Sequence, residues 1–444
     1  MAESRHLTVV VTASLAGLLF GFDTAVISGV THSLRSVFEL APDSVEFAIA
    51  MSSALIGTLI GSLVMGGPGD RYGTRDTLKF IGFLYVVSAI GCAFAQSYGA
   101  FVAFRFIGGI AIGGSSVLAP VYISEIAPAN RRGALTGLFQ FNIVFGILLA
   151  YVSNFLVQLV AGDADPWRWK LAIAALPALV FFGLMFTIPQ SPRWLALRGR
   201  AEEARTSLAK LDVPDADAML AEFERAARAA QVEQEQKLFT ATHKRALLLA
   251  FLVAAFNQFS GINAILYYLN DIFAAAGFSG WSNDLQAVAI GATNLLATMA
   301  ALRVIDKVGR KKLLLVGAVG TALAQAAVAV IMGTGSGKGL LLPMLILFIA
   351  AFAFSQGAVI WVYLAEIFPT AVRSRGQAFG SATHWGFNAV ISFAYPIIAA
   401  HTQALPFAFF AVCMAVQFFV VLALFPETRG VELEKMDDTL RRAQ

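Results

Sequence analysis

Asp70-Arg71-Tyr72-Gly73-Thr74-Arg75 returns 236 residues later as Asp306-Lys307-Val308-Gly309-Arg310-Lys311. Two further segments repeat at nearly the same offset. Glu125-x-x-Pro128-x-x-x-Arg132-Gly133 returns as Glu366-x-x-Pro369-x-x-x-Arg373 followed by Arg375-Gly376, and Pro189-Gln-Ser-Pro-Arg193 returns as Pro426-Glu-Thr-Arg429. Three matched pairs in one order mean two homologous halves. Halves of this kind, rocking about a central site that opens to each side in turn, are a transporter plan.

The chain between these loops is apolar. Of 444 residues 58% are hydrophobic and 14% charged, with a mean hydropathy of +0.72, whereas soluble domains carry about 25% charge. A soluble globular enzyme is excluded, and 37 Phe, 9 Tyr and 6 Trp exclude a disordered chain. A spanning helix needs roughly 20 apolar residues. Runs of that length fall near 7–30, 45–67, 77–96, 100–122, 133–160, 169–189, 244–272, 284–304, 312–333, 340–364, 376–400 and 404–425. The expected fold is therefore an all-α membrane protein of twelve transmembrane helices. The domains read as a six-helix bundle over 1–191, a cytoplasmic linker of short amphipathic helices over 192–243, a second six-helix bundle over 244–426 and a cytoplasmic tail over 427–444.

Charge sets the orientation. With the N-terminus inside, the outer loops hold only Arg35, Arg168, Lys170 and Lys338, and Arg105 falls within a span. The remaining Lys and Arg lie at the cytoplasmic face, so both termini are expected there. The first apolar stretch is too long for a signal-peptide core and reads as a retained helix. The net charge of +4 belongs to this asymmetry and implies no nucleic-acid partner. Cys92 and Cys413 sit alone in separate apolar runs, as small core residues. No metal cluster, cofactor motif or nucleophile–base set is evident, so no enzyme is expected. The partners are the bilayer and a small molecule, and the chain reads as a monomer.

The repeated loops gather carboxylates and guanidinium groups at helix ends: Asp70, Arg71, Glu125, Arg132 and Arg193 in the first half, and Asp306, Arg310, Glu366, Arg373 and Glu427 in the second. Arginine binds carboxylate bidentately across neighbouring helices. Such pairs would latch the cytoplasmic gate in the outward-open state. The alternative is that they only anchor helices at the membrane surface.

Asp23 is the carboxylate deepest in an apolar span, a placement costly enough to imply function. It lies about seven residues, roughly 10 Å, inside the outer end of helix one, and Arg105 lies at a similar depth in helix four. The two can meet. Beside Arg105 the carboxylate keeps its charge; separated from it in a dry site, it takes up a proton. That difference would couple proton entry to a conformational change. A static helix–helix ion pair in a uniporter is the alternative.

Gly-Phe-Asp23-Thr-Ala-Val-Ile-Ser-Gly29, Asp70-Arg-x-Gly73, Arg105 with Gly108-Gly109, Glu125-x-x-Pro-x-x-x-Arg132-Gly, Pro189-x-Ser-Pro-Arg193-Trp-Leu195, Gln258-x-x-Gly261-Ile-Asn263, Asp306-x-x-Gly309-Arg310-Lys, Glu366-x-Phe-Pro369 and Pro426-Glu-Thr-Arg429-Gly430 together resemble the sugar porter branch of the major facilitator superfamily. The likeness runs from the first helix to the C-terminal tail. Asp-Arg-x-Gly is common to the superfamily, whereas the Pro-x-Ser-Pro-Arg and Pro-Glu-Thr-Arg-Gly segments with Gln-x-x-Gly-Ile-Asn are specific to sugar porters.

The resemblance implies import of a hexose or pentose such as glucose, galactose or xylose, with a proton taken up through Asp23. Facilitative carriers of the family have a neutral residue there. Amides, which both donate and accept, and aromatic faces suit a neutral polyol. The positions resembling the family's sugar contacts are Gln140, Gln258, Asn263, Asn294, Trp361 and Asn388, with Phe20, Phe352 and Gly357 alongside. Asn257, His384 and Trp385 complete the set. Buried amides that only bridge helices are the competing reading. Ser260-Gly261 marks a weak point in helix seven, beyond which Tyr267 and Tyr268 would act as a lid. Three positions depart from the family. No proline follows Gly357, so the kink of helix ten is expected to be weaker or displaced; His384 stands where an amide is usual; and Asn257 replaces a glutamine. A sugar sensor without transport would be expected to have longer cytoplasmic extensions.

Overall fold

The computed structural model describes residues 2–127, 132–161, 165–211, 216–221, 223, 225, 237–278, 281–369 and 372–429. Pro128, Gly430 and the tail beyond it, together with the side chain of Arg132, lie outside the described residues. Among the described residues eleven helices are long and apolar enough to cross a membrane: His6–Gly29, Val45–Val64, Thr74–Phe94, Tyr98–Ile126, Leu135–Ala161, Trp167–Leu184, Ala241–Tyr267, Ser282–Val308, Arg310–Thr334, Lys338–Glu366 and Ala404–Leu424. The twelfth expected span is the 29-residue helix Arg373–His401. Gln377, His384 and Asn388 depress its hydropathy, and the last two are buried, so its polarity faces protein.

Among the described residues four spans are broken: the sixth between Trp167–Ala172 and Ala175–Leu184, and the seventh, the tenth and the first. The seventh ends its first segment at Phe259 and resumes at Ile262 after Gly261, whose φ of 79° is left-handed and accessible chiefly to glycine. A second interruption at Tyr268 precedes Leu269–Ala275. The tenth span breaks at Ser355 (φ −124°, ψ −88°), between Leu341–Phe354 and Gln356–Glu366. The expected weakening at Gly357 is thus displaced two residues upstream. Without a proline the interruption falls at Ser355, whose hydroxyl donates to the Ala351 carbonyl at 2.6 Å. The first span passes through a short 3-10 segment, Ile27–Gly29, into Thr31–Val37.

By contact the chain forms two compact units, residues 1–23, 56–147 and 168–236 in one, and 24–55, 148–167 and 237–444 in the other. These do not follow the six-plus-six division of the sequence. In the second unit the outer segments of spans one, two and five pack with the helices of the C-terminal half.

Glycine seams hold the first unit together. A β-carbon on Gly17 or Gly21 of span one would strike the carbonyl of Phe139 or Ile143 in span five, and one on Gly146 would strike that of Leu18. Gly57 and Gly61 of span two face the carbonyls of Phe106 and Ile110 in span four in the same way. Between helices in lipid, small residues at this spacing permit backbone contact and the dispersion it brings. The seam ends two residues before Asp23. The linker begins with Pro192–Leu197, capped by Ser191 accepting from the Trp194 amide at 3.1 Å, and continues with Ala201–Lys210. Trp194 Nε1 and Arg198 both donate to the Asp70 carbonyl, at 2.7 and 2.6 Å, bracing the linker on the first repeated loop.

Candidate transport site

The repeated loops have repeated geometry. Gly73 and Gly309 have φ of 96° and 97°, and a side chain on either would collide with Gln190 or Glu427 respectively. Gln190 Oε1 accepts the Arg75 amide at 3.0 Å; Glu427 accepts the amides of Arg310 and Lys311 at 2.8 and 3.2 Å. Each therefore caps free amides at a helix N-terminus. Thr74, which corresponds to Arg310, donates to Glu125 at 3.3 Å. Arg310 instead grips Glu366 with Nε and Nη2 at 3.1 and 2.8 Å, and reaches Asp306 at 2.9 Å. Thr428 adds a 2.6 Å bond to Glu366.

The network expected from sequence is thus largely assembled in the second half and weaker in the first. Arg193 acts on Glu125 through its charge. Arg71 ends the short helix Gly66–Tyr72, exposed, with its guanidinium over the Tyr72 ring at 5.3 Å, and no ion pair joins it to an acid among the described residues. Asp70 contributes its carbonyl, and Arg373 donates to the Phe368 carbonyl at 3.2 Å. Gln190 and Asp76 were not foreseen. The latter pairs with Arg75 and Lys79 at 2.9 Å each.

Within the first unit Arg105 Nη1 lies 2.8 and 2.9 Å from the two carboxylate oxygens of Asp23. Arg105 is 1% exposed and Asp23 18%, so the arginine is fixed in the bundle while the acid keeps one edge accessible. Gln140 and Phe20, both half-buried, belong to this unit.

The second unit gathers the other amides around the break in span seven. Gln258 donates through Nε2 to Asn257 Oδ1 at 3.0 Å and lies 3.1 Å from His384 Nδ1. Its Oε1 accepts from Asn263 at 3.0 Å. Asn257 donates in turn to the Gln356 carbonyl at 3.3 Å, so both ends of its amide are engaged by protein. It is a bridge between spans seven and ten in this arrangement, the competing reading for buried amides. Trp361 lies 5.1 Å from the His384 ring and is 37% exposed; buried Trp385 meets the same ring edge-on at 5.0 Å. Asn388 accepts from Ser392 at 3.2 Å, and its buried Nδ2 has no partner among the described residues. Phe352 packs against Gly357. Asn294 is buried in span eight.

Outside this cluster the same unit is closed by contacts the sequence did not announce. Arg35 pairs with Asp271 at 2.8 Å and stacks over Phe47 at 5.2 Å. Tyr268, fully buried, stacks on Tyr395 at 4.9 Å and donates to the Ser392 carbonyl at 3.0 Å. Tyr267 is buried beside it. Tyr151 of span five donates to the Leu266 carbonyl at 3.1 Å. Gln325, Gln356 and Gln417, each at most 1% exposed, were also unforeseen. Their signal, an amide in mid-span, was as visible as that of the residues chosen.

Repeated loops, a buried ion pair within spanning helices and amides gathered at a helix break define a multi-pass membrane transporter. The chain belongs to the sugar transporter family, whose profile, described as "Sugar (and other) transporter", matches residues 9–440. It is 34% identical to the D-xylose-proton symporter of Escherichia coli (strain K12), over 98% of this chain and 96% of that one. It is also 34% identical to the arabinose-proton symporter of Bacillus subtilis (strain 168), over 96% and 93%. The fold is similar to that of the xylose transporter XylE from E. coli in a partially occluded inward-open conformation, with TM-score 0.85, 33% identity and coverage of 97% and 100%.

Proposed function

We propose that this protein is a proton-coupled monosaccharide symporter importing a pentose or hexose by alternating access, as a monomer in the cell membrane with both termini cytoplasmic. The observation that carries the reading is the ion pair between Asp23 and Arg105. A carboxylate in a spanning helix, paired to a buried arginine yet open along one edge, is a proton acceptor whose charge depends on its partner. Protonation from outside releases Arg105, and deprotonation to the cytoplasm restores the pair. The names of the two relatives, a xylose and an arabinose symporter, support the proton and the size of the sugar.

In the second unit sugar recognition falls to Asn263, Asn294, Trp361, His384 and Asn388, with Phe352 as an apolar wall; in the first unit the candidates are Gln140 and Phe20. Gln258 and Asn257 hold the cluster in register, because their amides are already hydrogen-bonded. Asn388 Nδ2 is a buried donor awaiting an acceptor, which a sugar hydroxyl supplies. Tyr267 and Tyr268 form the outer lid, and the Arg310–Glu366 and Thr74–Glu125 contacts form the cytoplasmic latch. The test is the external pH of proteoliposomes on addition of a monosaccharide panel. Alkalinisation driven by one or more sugars supports symport; sugar equilibration without proton movement makes the protein a uniporter.

A further inference from the structure

Breaking span seven at Ser260-Gly261 frees backbone carbonyls in the middle of the membrane, where an unpaired group costs several kcal/mol. Two of them have side-chain replacements. The Asn257 carbonyl accepts from Ser260 Oγ at 2.6 Å, a local bond within the break. The Ser260 carbonyl accepts from Gln325 Nε2 at 2.9 Å, and Gln325 stands on a different helix, Arg310–Thr334. It is completely buried. A glutamine in an otherwise apolar span is expensive unless it serves a purpose, and its one hydrogen bond here is to the hinge.

We infer that Gln325 is a positioning residue for sugar binding: it pins the Ser260 carbonyl and so fixes the angle at which Asn263, beyond the break, presents its amide while Gln258, before the break, holds it. The two amides are joined across the break by the 3.0 Å bond from Asn263 to Gln258. Loss of the pin lets the segment Ile262–Tyr267 turn about Gly261, and that bond stretches or breaks. Gln325 itself touches none of the sugar-binding side chains proposed above; it acts through the backbone of span seven. The inference rests on the sugar-binding reading, which the same experiment tests separately.

The experiment compares wild type with Gln325→Leu, which keeps the bulk and removes the donor, and with Gln325→His, which restores a donor. Sugar-dependent counterflow in proteoliposomes gives KM and maximal rate, and thermal melting in detergent reports folding. The inference expects Gln325→Leu to raise KM by about tenfold, the effect of one unmet buried hydrogen bond, and Gln325→His to recover part of it. A fall in melting temperature and maximal rate with KM unchanged overturns it, because that pattern is a purely structural role. A Gln325→Leu protein too unstable to reconstitute is replaced by Gln325→Met, which also lacks the donor: a KM unchanged there at a lowered melting temperature overturns the inference, and a raised KM supports it. A wild type that responds to no sugar in the panel overturns the sugar reading as well, and is recognised before any variant is compared.

Discussion

Arg105 Nη1 meets both carboxylate oxygens of Asp23, at 2.8 and 2.9 Å, across helices whose positions in the sequence are 82 residues apart. The arginine is sealed in the bundle, whereas Asp23 is 18% exposed. Replacing Asp23 with Asn removes the proton site while keeping the side chain's size. Sugar-driven alkalinisation should fall to background while sugar exchange survives, read from a pH electrode and labelled sugar in parallel. Loss of both activities together would make the pair structural.

Arg310 pairs with Glu366 in the second half where Thr74 bonds Glu125 in the first. Arg310 has only 8% of its side chain exposed, and removing Glu366 leaves its charge only the exposed Asp306 as an acidic partner among the described residues. Glu366→Ala should destabilise the protein by about 3–5 kcal/mol, the usual consequence of breaking a buried pair. Glu366→Gln should be milder, since the amide oxygen still accepts. Denaturant titration in detergent separates the two.

Glu427 and Gln190 occupy the same place in the two halves, each accepting backbone amides at a helix start. The first half does this with an uncharged amide. Glu427→Gln should therefore cost no more than about 1 kcal/mol. Gly309→Ala should cost about 1–3 kcal/mol, because the added carbon meets the Glu427 carboxylate at a positive φ. Equal losses in the two variants would show that the charge, rather than the acceptor, matters.

Arg35 and Asp271 pair within the second unit, at a place we propose as its outer gate. Asp271→Asn should raise labelling of a Gln403→Cys reporter, a residue of the same outer cavity, by about tenfold from outside, the factor that a 1.4 kcal/mol shift supplies. The measurement uses a background with Cys92 and Cys413 replaced by Ser. Exchanging the two charges, Arg35→Asp with Asp271→Arg, should restore protection. Labelling that stays high in the double variant would remove the pair from the gate.

The twelve spans, the duplicated loops and the Asp23–Arg105 meeting were legible because each rests on a strong local signal. An apolar run must become a helix in lipid, repetition is visible by comparison of the chain with itself, and depth counted along two helices predicts that two residues meet. The amides near the break in span seven were legible as polar groups in apolar spans, but their hydrogen-bond partners were not. Asn257 and Gln258 look like Asn263 in one dimension, and only their packing shows that their hydrogen bonds are already taken within the protein.

What the sequence by itself determined is the membrane, the repeat, the weak point at Gly261 and the acid that has no business in an apolar helix unless paired. Tertiary structure alone decided the rest. It moved the tenth-span break to Ser355, put Arg71 over a tyrosine ring, brought Arg35 to Asp271 and set Gln325 against the broken backbone of span seven. The physical reason is common to all four. Helical periodicity and hydropathy are properties of neighbours in the chain, whereas the partner of a buried polar group is chosen by whichever side chain the folded helices bring within about 3 Å of it.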